Sequence, residues 1–136
     1  MRPIMLDTNA YTAFKRGDAN IIEIISTIAT VGISPIVLGE LLGGFDSGTK
    51  SKKNREELHQ FLASPRIRIF PIGLDTANFF ALVYSKLKSK GKPIPTNDMW
   101  IAAQALEHGC LVCSLDNHFL NIEGLIVGST MAALSL

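Results

Sequence analysis

No apolar run in this chain is long enough to cross a bilayer, and the first one, Ile4-Met5-Leu6, is cut by Asp7 with no small-residue cleavage site behind it. A membrane span and a secretory signal are therefore not expected, and cytoplasmic residence is. Cysteine is scarce. The two present, Cys110 and Cys113, have the spacing of a metal or redox pair, yet they fall in Cys110-Leu111-Val112-Cys113-Ser114-Leu115, which reads as a buried strand. Positions three apart on a strand face opposite ways. With no second pair and no helix start between them, they read as ordinary buried thiols suited to a reducing compartment. Histidine is equally sparse: His59, His108 and His118 are scattered without a metal-binding spacing, and each reads as a surface or helix-end residue. There is no Walker-type phosphate loop, no dinucleotide glycine motif and no serine with a plausible base, which removes NTP binding, hydride transfer and acyl transfer. A strong charge of either sign is missing too. The net charge is +1, so local clusters must decide whether nucleic acid is a partner. No internal repeat or low-complexity tract is found.

What is present is apolar bulk. A chain of 136 residues, 47% hydrophobic and 18% charged, suits one domain spanning residues 1–136, and its apolar excess implies that a partner covers some of the surface. Pro3 to Leu6 reads as a central strand ending in Asp7-Thr8-Asn9, the edge at which open α/β sheets bind ligands. A helix over Ala10 to Arg16 follows, then a second with Asp18 as cap and Ile21, Ile22, Ile25 and Ile28 as its stripe. After a brief strand at Val31-Gly32-Ile33, Ser34-Pro35 starts a helix. Glu40 rides on it among apolar neighbours, where a solvated position is hard to arrange.

Gly43 to Asn54 is polar and basic, with Lys50, Lys52 and Lys53, and leads into a helix presenting Leu58, Phe61 and Leu62. Ile67 to Ile72 reads as a strand near a sheet edge. Asp75 is placed to cap a helix with Phe79, Phe80, Val83, Tyr84 and Leu87 inward. Lys86, Lys88, Lys90 and Lys92 close that helix, either as a solvated end suiting the dipole or as a basic patch steering a polyanion. Pro93-Ile94-Pro95 then delivers the chain to Asp98, on a helix that ends near Glu107-His108-Gly109 with Gly109 as its stop. On it Asp98 shares a face with Ile101, Ala102 and Ala105, so this acid either suits the dipole or is carried inward to meet a cation. The Cys110 to Leu115 strand ends in Asp116-Asn117-His118-Phe119, repeating the layout at Asp7. A last strand is expected at Leu125 to Val127. Strands alternating with helices predict a mainly parallel sheet covered on both faces.

A parallel sheet would let Asp7, Glu40, Asp98 and Asp116 converge on its C-terminal rim. Two carboxylates about 4 Å apart repel by roughly 4 kcal/mol at an effective dielectric near 20, so such a group needs a cation or protons. Oxygen donors select a hard ion, Mg²⁺ or Mn²⁺, and such an ion suits hydrolysis of a nucleic-acid backbone.

Four segments in order, Ile4-Met5-Leu6-Asp7-Thr8-Asn9, Ser34-Pro35 to Glu40-Leu41-Leu42-Gly43, Asn97-Asp98 with Ile101 to Ala105, and Ser114-Leu115-Asp116-Asn117-His118-Phe119, resemble the PIN-domain ribonucleases. The small size is most similar to the VapC-type toxins of toxin-antitoxin pairs. The resemblance covers residues 4 to 127. It implies a PIN-like three-layer α/β fold, with Asp7, Glu40, Asp98 and Asp116 holding one or two Mg²⁺ or Mn²⁺ ions. Asn9, Ser114 and Thr8 would support them or touch substrate, and Asn117 could share the role of Asp116. It further implies cleavage of RNA, homodimerisation and inhibition by a cognate antitoxin, through which alone operator DNA is reached. Two other readings stand beside it. One is a Mg²⁺-dependent receiver-type phosphoacceptor, which would want paired acids where Asp7 is followed by Thr8 and Asn9. The other is a PIN fold that binds with little catalysis.

Overall fold

β1 (Ile4–Leu6) has every residue buried and sits in the middle of a five-stranded sheet, which is why it carries no polar side chain until Asp7. The computed structural model describes residues 2–136. After β1 the chain runs through α1 (Thr8–Lys15), α2 (Ala19–Thr27) and β2 (Val31–Ile33), then α3 (Pro35–Asp46), α4 (Ser51–Leu62) and β3 (Ile67–Ile69). α5 (Leu74–Lys90), α6 (Thr96–His108), β4 (Leu111–Cys113) and β5 (Val127–Gly128) follow, with a 3-10 turn over His118–Asn121 between the last two strands. The strand order is β3-β2-β1-β4-β5 and every pairing is parallel. The chain therefore builds outward from β1 on one side, then crosses back to build on the other. The junction of β1 and β4 is the point where strand order reverses, and there helices on opposite faces leave a crevice.

Strand alternation divides the core in two. Ile4, Leu6, Leu111 and Cys113 pack with the buried isoleucines of α2, whereas Met5 and Val112 pack with α3, α5 and α6. Helices thus cover both faces, and Cys110 and Cys113 are free, buried and divided between the two clusters. Burial pushes their thiols up to about 11 and about 12, so both stay protonated and inert near neutral pH. α6 lies against β1 and β4 because Ala102, Ala103 and Ala105 are all buried and keep its approach close.

Local signals place most helix ends. Asp18 accepts from the amides of Asn20 and Ile21, Ser34 from that of Ile36, and Gly109 ends α6 at φ 65°. Several expectations need correction. Gly73, not Asp75, caps α5: its amide donates to the Thr76 hydroxyl, which in turn donates to Glu107 and ties α5 to α6. The expected polar connector over Gly43 to Asn54 is mostly helical, because Asp46 accepts from both Ser51 and Arg55 and closes the corner between α3 and α4. Ile22 is 40% exposed and Tyr84 48%, since the inner faces are carried by Ile24 on α2 and by Val83 and Leu87 on α5. Phe80 is only half-buried and stacks on Trp100 at 4.2 Å.

Candidate active site

Asp7 sits one residue beyond β1 and is 3% exposed. It is held from two directions, Oδ1 accepting from the Ala10 amide at 2.8 Å as the cap of α1, and Oδ2 from the buried Ser114 hydroxyl at 2.5 Å. Ser114 follows β4, so this one bond ties the two central strands together just past their ends. The same hydroxyl accepts from the Asp116 amide at 3.2 Å, which fixes the loop carrying the next acid.

Asp98 comes from another direction, half-buried in the first turn of α6. A basic side chain meets it: His118 Nδ1 lies 2.5 Å from its Oδ2 and 3.5 Å from Asp116 Oδ1. Histidine 118 is thus no ordinary surface residue, contrary to expectation. Its own amide donates to Asp116 at 3.0 Å and the fully buried Phe119 anchors the turn beneath it. The signal for it was its place two residues after a strand-end acid, which a search for histidine-to-histidine spacings misses.

Glu40 also differs from expectation in its surroundings. It is exposed on α3, where the flanking Val37 and Leu41 take the inner positions. It accepts from the Thr8 hydroxyl at 2.7 Å, which holds it toward α1.

Asp7, Glu40, Asp98 and Asp116 line one cavity of about 480 Å³ at the rim where β1 and β4 end. Thr8, Asn9 and His118 line it too, with Pro95, Thr96 and Asn97 forming the lip. Asn117 is exposed and stands outside this lining, its carbonyl accepting from the Leu120 amide. The four lysines do not line it. Lys90 is engaged by Glu123 at 3.2 Å and by the Asn121 carbonyl, and Lys88 lies 6.0 Å over the Tyr84 ring.

Charge in the cavity is poorly compensated. Among the described residues, the His118 ring is the one basic group within 4 Å of any of the four acids. Burial pushes the Asp7 carboxyl up to about 6, against the hydrogen bonds from Ser114 and Ala10 and with help from the charges of Asp116 and Asp98. Asp98 is raised for the same first reason, opposed by His118. The His118 ring is raised chiefly by its bond to Asp98, and Asp116 and Asp7 add to this. One ligand atom from each of Asp98, Asp116 and His118 lies within 4.8 Å of the other two, so a single small ion can reach all three. Crowded acids without lysine or arginine are the donor set a hard dication fits.

The PIN domain sequence profile matches residues 4–125. The chain is 33% identical to the ribonuclease VapC2 of Rickettsia felis, over 90% of this chain and 94% of that protein. Its fold is similar to that in the crystal structure of VapBC2 from Rickettsia felis bound to a DNA fragment from their promoter, with a TM-score of 0.82, 27% identity, and 92% and 96% of the two chains covered. DNA-bound VapBC from Salmonella typhimurium is as similar, with a TM-score of 0.83, 25% identity, and 93% and 97% covered.

Proposed function

The chain belongs to the PIN-domain family, and from that premise we propose how it acts: it is an endoribonuclease, the toxin of a toxin-antitoxin pair, that cleaves RNA phosphodiester bonds with Mg²⁺ or Mn²⁺ at Asp7, Glu40, Asp98 and Asp116. The observation that carries the metal assignment is the meeting of these acids in one cavity with no lysine or arginine beside them among the described residues. When bound, a dication supplies a more acidic water and offsets charge on the phosphate under attack.

The chain's own residues set the stage. Ser114 and the Ala10 amide hold both oxygens of Asp7, so its carboxylate cannot turn away when the cavity is loaded. Thr8 holds one oxygen of Glu40. Asn9 lines the cavity and offers an amide to substrate. Of the four lysines at the end of α5 and just after it, Lys86 and Lys92 are the ones to guide a phosphate backbone. Lys92 stands three positions before Pro95 at the lip, while Lys88 and Lys90 are occupied.

A cognate antitoxin and a second copy of the chain are the expected partners, with operator DNA reached through the antitoxin. The support is that similar chains crystallise as VapBC complexes. Among the described residues no helix is long and apolar enough to cross a membrane, and two free thiols suit a cytoplasmic setting.

The receiver-type reading fits this topology poorly. Those domains have strand order 2-1-3-4-5, whereas here the order is β3-β2-β1-β4-β5. The deciding experiment is cleavage of total RNA by the purified chain in Mg²⁺, Mn²⁺ or chelator, with Asp98→Asn alongside. Cleavage that needs the metal and Asp98 supports the nuclease. Binding of RNA without cleavage in any metal would leave only a binding module.

A further inference from the structure

The acids explain why a dication enters the cavity, but not why a histidine stands among them. His118 is placed rather than accidental. Its backbone amide is bonded to Asp116, its neighbour Phe119 is fully buried, and its Nδ1 points at Asp98 Oδ2 from 2.5 Å. The ring is therefore presented from a short, anchored turn, directly opposite the acid at the start of α6. Its Nδ1 and one oxygen each of Asp98 and Asp116 fall within 4.8 Å of one another. Donors about 2.1 Å from an octahedral ion stand about 3 Å apart when adjacent and about 4.2 Å apart when opposite. The three atoms thus need only small shifts to share one ion.

We propose that His118 is itself a metal ligand, its Nδ1 joining Asp98 and Asp116 in a mixed nitrogen and oxygen site that favours Mn²⁺ over Mg²⁺. This rests on the reading that the cavity holds a dication, and it adds which residue chooses the ion. Mg²⁺ favours oxygen donors and gives up its waters reluctantly. Mn²⁺, although the weakest binder of the Irving–Williams series, is a transition metal and gains more from an imidazole nitrogen than Mg²⁺ does. Asp7 and Glu40 line the same cavity and remain oxygen donors. The Asp98 to His118 contact holds both donors in place.

The test uses the full chain, stripped with chelator and titrated with MnCl₂. The paramagnetic resonance of free Mn²⁺ gives occupancy, and pulsed resonance on the bound ion detects directly coordinated nitrogen. The expected result is bound Mn²⁺ with a ¹⁴N coupling that converts to a ¹⁵N coupling when only histidine is labelled. That version needs no variant and so cannot fail through misfolding. His118→Gln, checked for fold by circular dichroism, is expected to lose the coupling and to bind Mn²⁺ at least about tenfold more weakly, with Mg²⁺ affinity changed less. Bound Mn²⁺ without nitrogen coupling in the unsubstituted chain overturns the role of His118 and leaves the carboxylate site standing. Equal loss of Mn²⁺ and Mg²⁺ affinity in His118→Gln overturns the selectivity. Failure of the unsubstituted chain to bind Mn²⁺ at all overturns both this inference and the metal site beneath it.

Discussion

At the scale of single residues, Asp7 is the clearest case of stability given up for a site. Its carboxyl sits at about 6 in the folded chain against 3.8 for the free group, and burial is the main cause. A raised acid favours the folded state when protonated. The contribution is fully present below the unfolded value and is lost as pH rises through the folded one. In chelator, stability should therefore fall between about pH 4 and pH 7, by about 3 kcal/mol from this group. Asp7→Asn keeps a good helix cap but removes the charge, so calorimetry should find it more stable than the parent at pH 8 in chelator, with a flatter pH profile. Saturating Mn²⁺ should close that gap by stabilising the parent alone. Asp98→Asn should lower metal-dependent cleavage by about a hundredfold or more while the fold persists. Ser114→Ala, which takes the hydroxyl from Asp7 and from the Asp116 amide, should cost about tenfold in kcat/KM or metal affinity. An unchanged rate in Ser114→Ala would show that Asp7 needs no such support.

Elements were legible in the sequence wherever a local rule had no competitor. Asp18, Ser34-Pro35 and Gly109 mark helix ends through bonds to their own neighbourhood, so they could be read without the fold. Asp75 could not outdo Gly73, because the Thr76 hydroxyl takes the Gly73 amide and reaches on to Glu107 in another helix. The corner at Asp46 was hidden for a like reason, since its bond to Arg55 crosses from α3 to α4. Gly32 shows the packing side of this. A Cβ there would collide with the Phe70 ring and lie 2.8 Å from Met5 Sδ, and Phe70 is backed by His108 stacked at 4.4 Å. Gly32→Ala should thus lower stability by about 1 to 3 kcal/mol in urea titration, although alanine suits a strand no worse than glycine does. No loss would mean that the Phe70 ring turns freely.

At the scale of the whole molecule, a chain of net charge +1 has to draw a polyanion toward a cavity lined with acids. If Lys86 and Lys92 do this, the double change to glutamine should lower kcat/KM at low salt and make the log–log salt dependence shallower by about 1.4, at roughly 0.7 per single-strand phosphate contact. An unaltered slope would place the RNA path elsewhere. By itself, the sequence determined that the sheet is parallel, that acids follow its strands, and that no cysteine or nucleotide motif supplies another chemistry. These follow from periodicity and from neighbours a few positions apart. Tertiary structure alone decided that Glu40 stands exposed at the rim, that Asn117 lies outside the cavity, and that His118 stands between Asp98 and Asp116. The physical reason is distance along the chain: Glu40 is placed by the pairing of β1 with β2 and its bond from Thr8, and the loop carrying Asp116 and His118 by the pairing of β1 with β4. Residues 107 positions apart, such as Asp7 and Ser114, leave no periodic trace of their meeting.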